Sequence, residues 1–259
     1  MGTALVTGGT SGIGAEFARQ LAARGHDLIL VARDTARLEA MASELGTGGR
    51  SVEVITADLS DEKDTARVAK RLADPAEPVD ILINNAGFGG LSKLANPDIA
   101  EQDRAYAVMM RAVWVLSAAV IPGMKQRGHG AIVNVGSTAG QLSMGAYSSI
   151  KAWVTTYTES LANELHGSGV TATALMPGWV RTEFHQRASI SSSSIPDSLW
   201  LDPEHLVRVS LRDMDTGRVI SIPSVRYGIL SWLLRHLPRS TVRAISRRIS
   251  LSRSRAASE

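Results

Sequence analysis

Tyr147 and Lys151, four residues apart, form the first pair of side chains able to do chemistry together. On a helix that spacing sets the phenol and the ammonium on one face. A positive charge beside a phenol favours its ionised form, so such a pair can exchange a proton with a bound molecule. Pairs like this also arise by chance, and alone it carries little weight. Ser137 changes that, because it lies ten residues upstream at the end of the apolar run Ala131–Val135. Parallel α/β sheets bind ligands at the carboxyl ends of their strands, where that run would deliver a hydroxyl. A second signal, Thr7-Gly8-Gly9-Thr10-Ser11-Gly12-Ile13-Gly14, directly follows the apolar Ala4–Val6. Glycines at Gly8, Gly12 and Gly14 permit a tight turn and let backbone N–H groups at a helix N-terminus approach a pyrophosphate.

The elements that must position these groups alternate along the chain. Strand-type runs fall at Ala4–Val6, Asp27–Val31, Val52–Thr56, Ile81–Asn84, Ala131–Val135, Thr171–Leu175 and Val219–Ile222. Several are continuous Val/Ile/Leu runs, as strands buried on both faces of a parallel sheet require. Asp34 predicts the cap of a helix running to Leu45, with Gly46 just past its end, and Asp202-Pro203 predicts another helix start. Repeated β-α alternation with right-handed crossovers predicts an α/β fold, a doubly wound parallel sheet of seven strands with helices on both faces.

Composition narrows the function. The chain has 259 residues, 44% of them apolar and 20% charged, which excludes a disordered or fibrous protein. With no cysteine there is no disulfide scaffold, thiolate metal site or cysteine nucleophile, and the six histidines show no ligand spacing. A metal is therefore not expected. The first residues lack the basic segment of a secretory signal, and Val6 stands where N-myristoylation needs Ser or Thr. The apolar stretch Val108–Met124 is interrupted by Arg111 and shorter than the ~20 residues a membrane span needs, so it reads as a core helix. A cytoplasmic protein is expected. From Gly217 onward stand nine of the 28 basic residues, all arginine, and one of the 25 acidic ones, Glu259. A basic end is thus attached to a mildly acidic body.

Together the residues resemble the short-chain dehydrogenase/reductase family over roughly Gly2 to Thr182. The matching parts are T-G-x-x-x-G-I-G at Thr7–Gly14, Asp58-Leu59, Asn84-Asn85-Ala86-Gly87, Ser137, Y-x-x-x-K at Tyr147–Lys151, Pro177-Gly178 and Thr182. Each has a bland alternative, but all of them in the family's order and spacing do not. The resemblance implies a Rossmann-type NADP(H)-dependent oxidoreductase in which Tyr147 exchanges a proton with a carbonyl or alcohol oxygen. A free phenol has a pKa of ~10, and the nearby Lys151 charge, joined by the oxidised nicotinamide, is expected to lower it. Lys151 would also bond the nicotinamide ribose, and Ser137 the substrate oxygen. The cofactor residues implied are Gly8, Thr10, Ser11, Gly12, Ile13, Gly14, Arg33, Asp58, Leu59, Asn85, Ala86, Gly87, Pro177, Gly178, Val180 and Thr182, together with Tyr147 and Lys151. Asp58 would contact the adenine, with Leu59 lining its pocket, and Thr182 the diphosphate or carboxamide side; Asn84 is expected to brace the sheet. NADP(H) is expected rather than NAD, because Ala32 replaces the acid that binds a ribose 2′-hydroxyl and Arg33 suits a 2′-phosphate.

Two departures stand out. Most family members carry a fourth catalytic residue, an asparagine, where this chain has Met109, and no asparagine occurs between Asn96 and Asn134. Residues 1–225 read as one Rossmann-type domain with a substrate lid at 183–200, and residues 226–259 as a basic amphipathic extension. Phe184, Ile190, Ile195, Leu199 and Trp200 in the lid, with Phe88, Leu91 and Met144, suggest a pocket for a lipophilic ketone or secondary alcohol. In the extension, apolar residues such as Ile229, Trp232, Leu233, Val242 and Ile249 alternate with Arg226, Arg235, Arg239, Arg243, Arg247 and Arg248. A helix packed on protein is one reading; peripheral membrane contact through 226–255 is the other. No nucleic-acid partner is expected, since the extension matches no recognised module. The resemblance implies a homodimer or homotetramer through helices around Asp98–Lys125 and Tyr147–His166. A catalytically impaired NADP-binding sensor and a peripheral membrane adaptor on the same scaffold are the alternatives.

Overall fold

A computed structural model of the chain describes residues 2–46, 49–91, 93–183 and 196–256. The apolar runs form strands β1 (Thr3–Thr7), β2 (Asp27–Ala32), β3 (Val52–Thr56), β4 (Ile81–Asn84), β5 (Gly130–Val135) and β6 (Val170–Leu175), followed by the short β7 (Trp179–Val180), β8 (Trp200–Leu201) and β9 (Ile220–Ser221). The main sheet has seven strands in the order β3-β2-β1-β4-β5-β6-β9, all paired in parallel. The chain winds outward from β1 in one direction and from β4 in the other. The order therefore reverses between these two central strands, and a cleft opens outside their carboxyl ends. The last strand is shorter than expected. It lies at the sheet edge with only β6 beside it, and Pro223 just beyond has no N–H to extend the ladder.

The helices are α1 (Gly12–Ala23), α2 (Thr35–Leu45), α3 (Glu62–Leu72), α4 (Ala100–Tyr106), α5 (Ala112–Arg127), α6 (Ala146–Glu164), α7 (Pro203–Asp215), α8 (Val225–His236) and α9 (Arg239–Ala256). Successive strand residues point to opposite faces, so Val6 and Leu30 pack under Phe17, Leu38 and Leu211 of α1, α2 and α7. On the other face Leu5 and Ile29 meet Val68, Leu116 and Leu161 of α3, α5 and α6. Both expected caps form: the Asp34 carboxylate accepts the Arg37 N–H at 3.1 Å and Asp202 that of His205 at 2.8 Å. Asn84 braces the sheet as expected, donating to Asn134 Oδ1 at 2.9 Å, and Asn134 donates to Thr158 Oγ1 at 3.0 Å.

The stretch Val108–Met124 becomes the end of a π turn (Ala107–Arg111) and most of α5, with Met109, Leu116, Val120 and Met124 buried. The helix Ala100–Arg127 is long and apolar enough to cross a membrane by length and composition, but one face is packed against the sheet. The segment 183–200, expected as a substrate lid, is described only at its ends, where Asp197–Leu199 forms a 3-10 turn. Trp200 then opens β8, which pairs with β7, while Phe184, Ile190 and Ile195 lie outside the described residues. The basic end folds into two helices that break at Leu237-Pro238. Tyr227, Ser231 and Leu234 of α8 and Val242 and Ser246 of α9 are buried.

Candidate active site

Ser137 follows β5 in extended conformation and caps the 3-10 turn Thr138–Gln141, its Oγ accepting the Ala139 N–H at 3.1 Å. Gly145, at φ 90°, makes the sharp entry into α6 that a residue with a side chain would resist. Tyr147 therefore lies in the first turn of α6 and Lys151 one turn later. The Tyr147 hydroxyl is hydrogen-bonded to Ser137. Lys151 Nζ donates to the Val135 carbonyl at 2.7 Å and lies 5.6 Å from the Tyr147 ring centre. All three side chains line one cleft of about 1740 Å³ at the carboxyl ends of the strands.

Burial dominates the electrostatics here. It pushes the Tyr147 phenol up to about 12, with the Ser137 hydrogen bond pulling the other way, and it pulls the Lys151 ammonium down to about 8. The lowering expected from Lys151 together with an oxidised nicotinamide belongs to the cofactor-bound state; in the chain alone burial raises the phenol. The charge of Lys151 is likewise disfavoured by burial. Lys151→Met follows as a stability prediction. Folded Lys151 releases its proton near pH 8 and the unfolded lysine only near its ordinary 10.5, so between these values the folded state holds fewer protons. Stability from this group therefore rises with pH across that window, and the burial cost is fully present below it. That cost is roughly 3 kcal/mol, and the abandoned Val135 carbonyl returns about 1–2 kcal/mol of it. Lys151→Met should melt a few degrees above the parent at neutral pH, with the gain shrinking toward pH 10. Thermal melts showing no gain, or a gain that grows with pH, would contradict it.

At the other end of the cleft the glycine-rich turn is tightly built. Thr7 Oγ1 accepts the N–H groups of Asn85 and Ala86 at 2.9 and 3.0 Å. The Asn85 amide donates to the Thr7 and Gly8 carbonyls at 2.9 and 3.2 Å. Asn85 thus ties β4 to the turn as well as lining the cleft. A Cβ on Gly14 would fall 2.2 Å from the Gly8 oxygen, so only glycine fits. Thr10, Ser11 and Ile13 line the cleft around the N-terminus of α1, and the Thr182 side chain packs on Gly12. This cradle of backbone N–H groups suits a diphosphate.

The wall beyond β2 carries Arg33 and, one helical turn later, Arg37, which the sequence reading missed. A second arginine four residues after the first was the available signal. Arg33 Nη1 lies 4.0 Å from Asp58 Oδ2, and Arg37 pairs with Asp34 and with Glu183. Burial tends to raise the Asp58 pKa, but hydrogen bonds from Ser60 and the charges of Arg33 and Arg104 hold it below the usual carboxylate value. Leu59, Ala86, Gly87, Pro177, Gly178 and Val180 also line the cleft. Phe88, Leu91 and Met144 stand beside the reacting side chains as expected, but Tyr227, Leu230 and Ile249 of the basic end join them without having been anticipated. Met109 is 1% exposed, packed with Ala105 and Ile150 and close over Gly87. A thioether, not an amide, fills that position.

The model of the short chain dehydrogenase family matches residues 2–192, three quarters of the chain. This chain is a member of that family. Among its relatives, the oxidoreductase UcpA of Salmonella typhimurium is 35% identical over 211 residues, covering 79% of this chain and 77% of UcpA. A short-chain dehydrogenase from Sphingobium yanoikuyae, solved in complex with NADPH, is 36% identical with a TM-score of 0.82, over 92% of this chain and 96% of that one. The bulky-bulky ketone specific alcohol dehydrogenase from Comamonas testosteroni is 33% identical with a TM-score of 0.78, over 92% and 95% of the two chains. In this short-chain dehydrogenase the matched region contains the cradle, Arg33, Arg37 and the Ser137, Tyr147 and Lys151 cluster, whereas α8 and α9 lie beyond it.

Proposed function

We propose that the chain is an NADP(H)-dependent oxidoreductase that interconverts a lipophilic ketone and its secondary alcohol. The observation that carries this reading is one continuous cleft with Gly8, Thr10, Ser11, Gly12, Ile13, Arg33 and Arg37 at one end and Ser137, Tyr147 and Lys151 at the other. Backbone N–H groups along Thr10, Ser11, Gly12 and Ile13 hold the cofactor diphosphate, Gly8 and Gly14 let the turn pack closely beneath them, and the seat of Thr182 on Gly12 favours the diphosphate side. Arg33 and Arg37 grip the 2′-phosphate. Asp58 and Leu59 flank the adenine, Asn85, Ala86 and Gly87 pass close alongside, and Pro177, Gly178 and Val180 form the shelf for the nicotinamide. The nicotinamide supplies or accepts the hydride.

Ser137 bonds the substrate oxygen, and Tyr147 gives it a proton in reduction or removes one in oxidation. A phenol held at about 12 is a proton donor throughout the neutral range. For oxidation it needs the positive charges of Lys151 and of the oxidised nicotinamide to bring it down. Apolar side chains around the cluster, among them Phe88, Leu91, Met144 and Leu230, favour a bulky hydrophobic carbonyl. The neighbours solved with NADPH and described as specific for bulky ketones support the same reading.

A panel of ketones varied in chain length and ring size, followed by NADPH absorbance, tests it. Turnover should rise with the apolar bulk of both substituents and run faster with NADPH than NADH. No turnover across the panel, or turnover confined to small hydrophilic carbonyls, would overturn it. The buried Met109 favours a second reading, a sensor that binds NADPH without turning anything over. Firm NADPH binding with no activity on any member of the panel would select that reading instead.

A further inference from the structure

The basic C-terminal end is stitched to the segments that flank the reacting side chains, and Tyr227 is the main stitch. It sits in the first turn of α8, whose start is capped by the Ser224 side chain, and it is 5% exposed. Its hydroxyl accepts the Trp179 N–H at 3.1 Å and donates to the Leu199 carbonyl at 2.8 Å. Trp179 opens β7 and Leu199 directly precedes β8, and the two strands pair Trp179 with Trp200. One hydroxyl therefore closes the end of this small sheet. The phenol ring itself lies on Gly178, where an added Cβ would fall 2.0 Å from Cζ.

The same segment is gripped from its other side. The Pro177 carbonyl accepts the Thr138 N–H at 3.0 Å and the Thr138 hydroxyl at 3.1 Å, next to Ser137. Residues 177–179 are thus clamped between the Ser137 turn and Tyr227. The loop from Ser137 to Tyr147 also rests on the C-terminal helices, with Gln141 donating to Ser231 Oγ at 2.6 Å and the Ser143 N–H to Ser246 Oγ at 2.9 Å. These three anchors, Tyr227, Ser231 and Ser246, lie outside the matched region 2–192.

We propose that Tyr227 is a positioning residue that fixes the height of the Pro177–Trp179 shelf against Ser137 and Tyr147. The inference rests on the NADP(H) reading above, which makes that shelf the seat of the nicotinamide. Without the hydroxyl the Trp179 N–H and the Leu199 carbonyl lose the partner they share, and the shelf can drift while the ring still fills its place on Gly178. Cofactor affinity then suffers more than folding does.

Tyr227→Phe tests this against Asp80→Ala, which loosens the amino end of the sheet, where Asp80 accepts the Thr3 N–H at 3.1 Å, without touching the shelf. Fluorescence titration gives the dissociation constant for NADPH independently of turnover, and thermal melts report folding. Tyr227→Phe should weaken NADPH binding about tenfold, the size expected when one buried hydrogen bond is lost. Its KM for NADPH should rise in step and kcat should fall by less. Asp80→Ala should lower the melting temperature at least as much and leave NADPH affinity unchanged. A parent chain that binds NADPH while Tyr227→Phe binds it equally well would overturn this inference alone. So would an equal loss of affinity in both variants. A parent that binds no NADPH would overturn the inference together with the reading it rests on.

Discussion

Tyr147→Phe cuts kcat for ketone reduction by roughly 10³- to 10⁴-fold and leaves NADPH affinity nearly intact, a loss at the upper end of what a positioned acid contributes. The variant removes one oxygen and little else. The ring keeps its packing against the small cluster of Ala105, Met109 and Ile150. Lys151 keeps its 2.7 Å bond to the Val135 carbonyl. Ser137 keeps the Ala139 N–H, so its turn should hold. The Ser137 hydroxyl can still bond a substrate oxygen but is too weak an acid to replace a phenol. Paired measurements of kcat and of the NADPH dissociation constant check the prediction. A variant that retains a tenth of the parent's turnover would show that the proton comes from elsewhere.

The second large effect is on cofactor choice. The double variant Arg33→Ala, Arg37→Ala should raise the KM for NADPH by roughly 10²-fold, with little change for NADH. Bonds between a guanidinium and a phosphate are charge-assisted and among the stronger ones. Both arginines are about half exposed or more, and each already faces a carboxylate, so neither alone should carry the full preference. Removing both also leaves Asp34 and Asp58 with less opposing charge at that end, which repels a phosphate but can accept the hydroxyls of an unphosphorylated ribose. The ratio of kcat/KM for the two cofactors is the readout. An unchanged ratio would place the 2′-phosphate elsewhere or deny the preference altogether.

The parts legible in the sequence were those set by local rules. Continuous apolar runs placed the strands, Asp34 and Asp202 announced their helices, and the glycine-rich turn after β1 and the spacing from Ser137 to Lys151 marked the cleft. What was not legible depends on distant partners or on burial. Trp200 pairs in β8 only because β7 lies beside it, and Tyr227 reaches Trp179 and Leu199 from an extension whose sequence allowed packing on protein but named no contact. The amphipathic pattern of that extension foresaw a packed side, but not that this side faces the site. Spacing set a cation one turn from Tyr147 but does not report how burial shifts the pair in the cofactor-free chain. The missing asparagine was evident at once, yet the π turn that seats Met109 over Gly87 was not.

The most direct test is the pH dependence of alcohol oxidation with saturating NADP+, measured for the parent and for Tyr147→Phe. The parent rate should climb with pH through one ionisation lying well below the value of about 12 that burial imposes on the cofactor-free chain, and Tyr147→Phe should lack that climb. A parent rate that ignores pH, or a Tyr147→Phe variant that follows the same curve, would contradict the assignment of the phenol as the group that moves the proton.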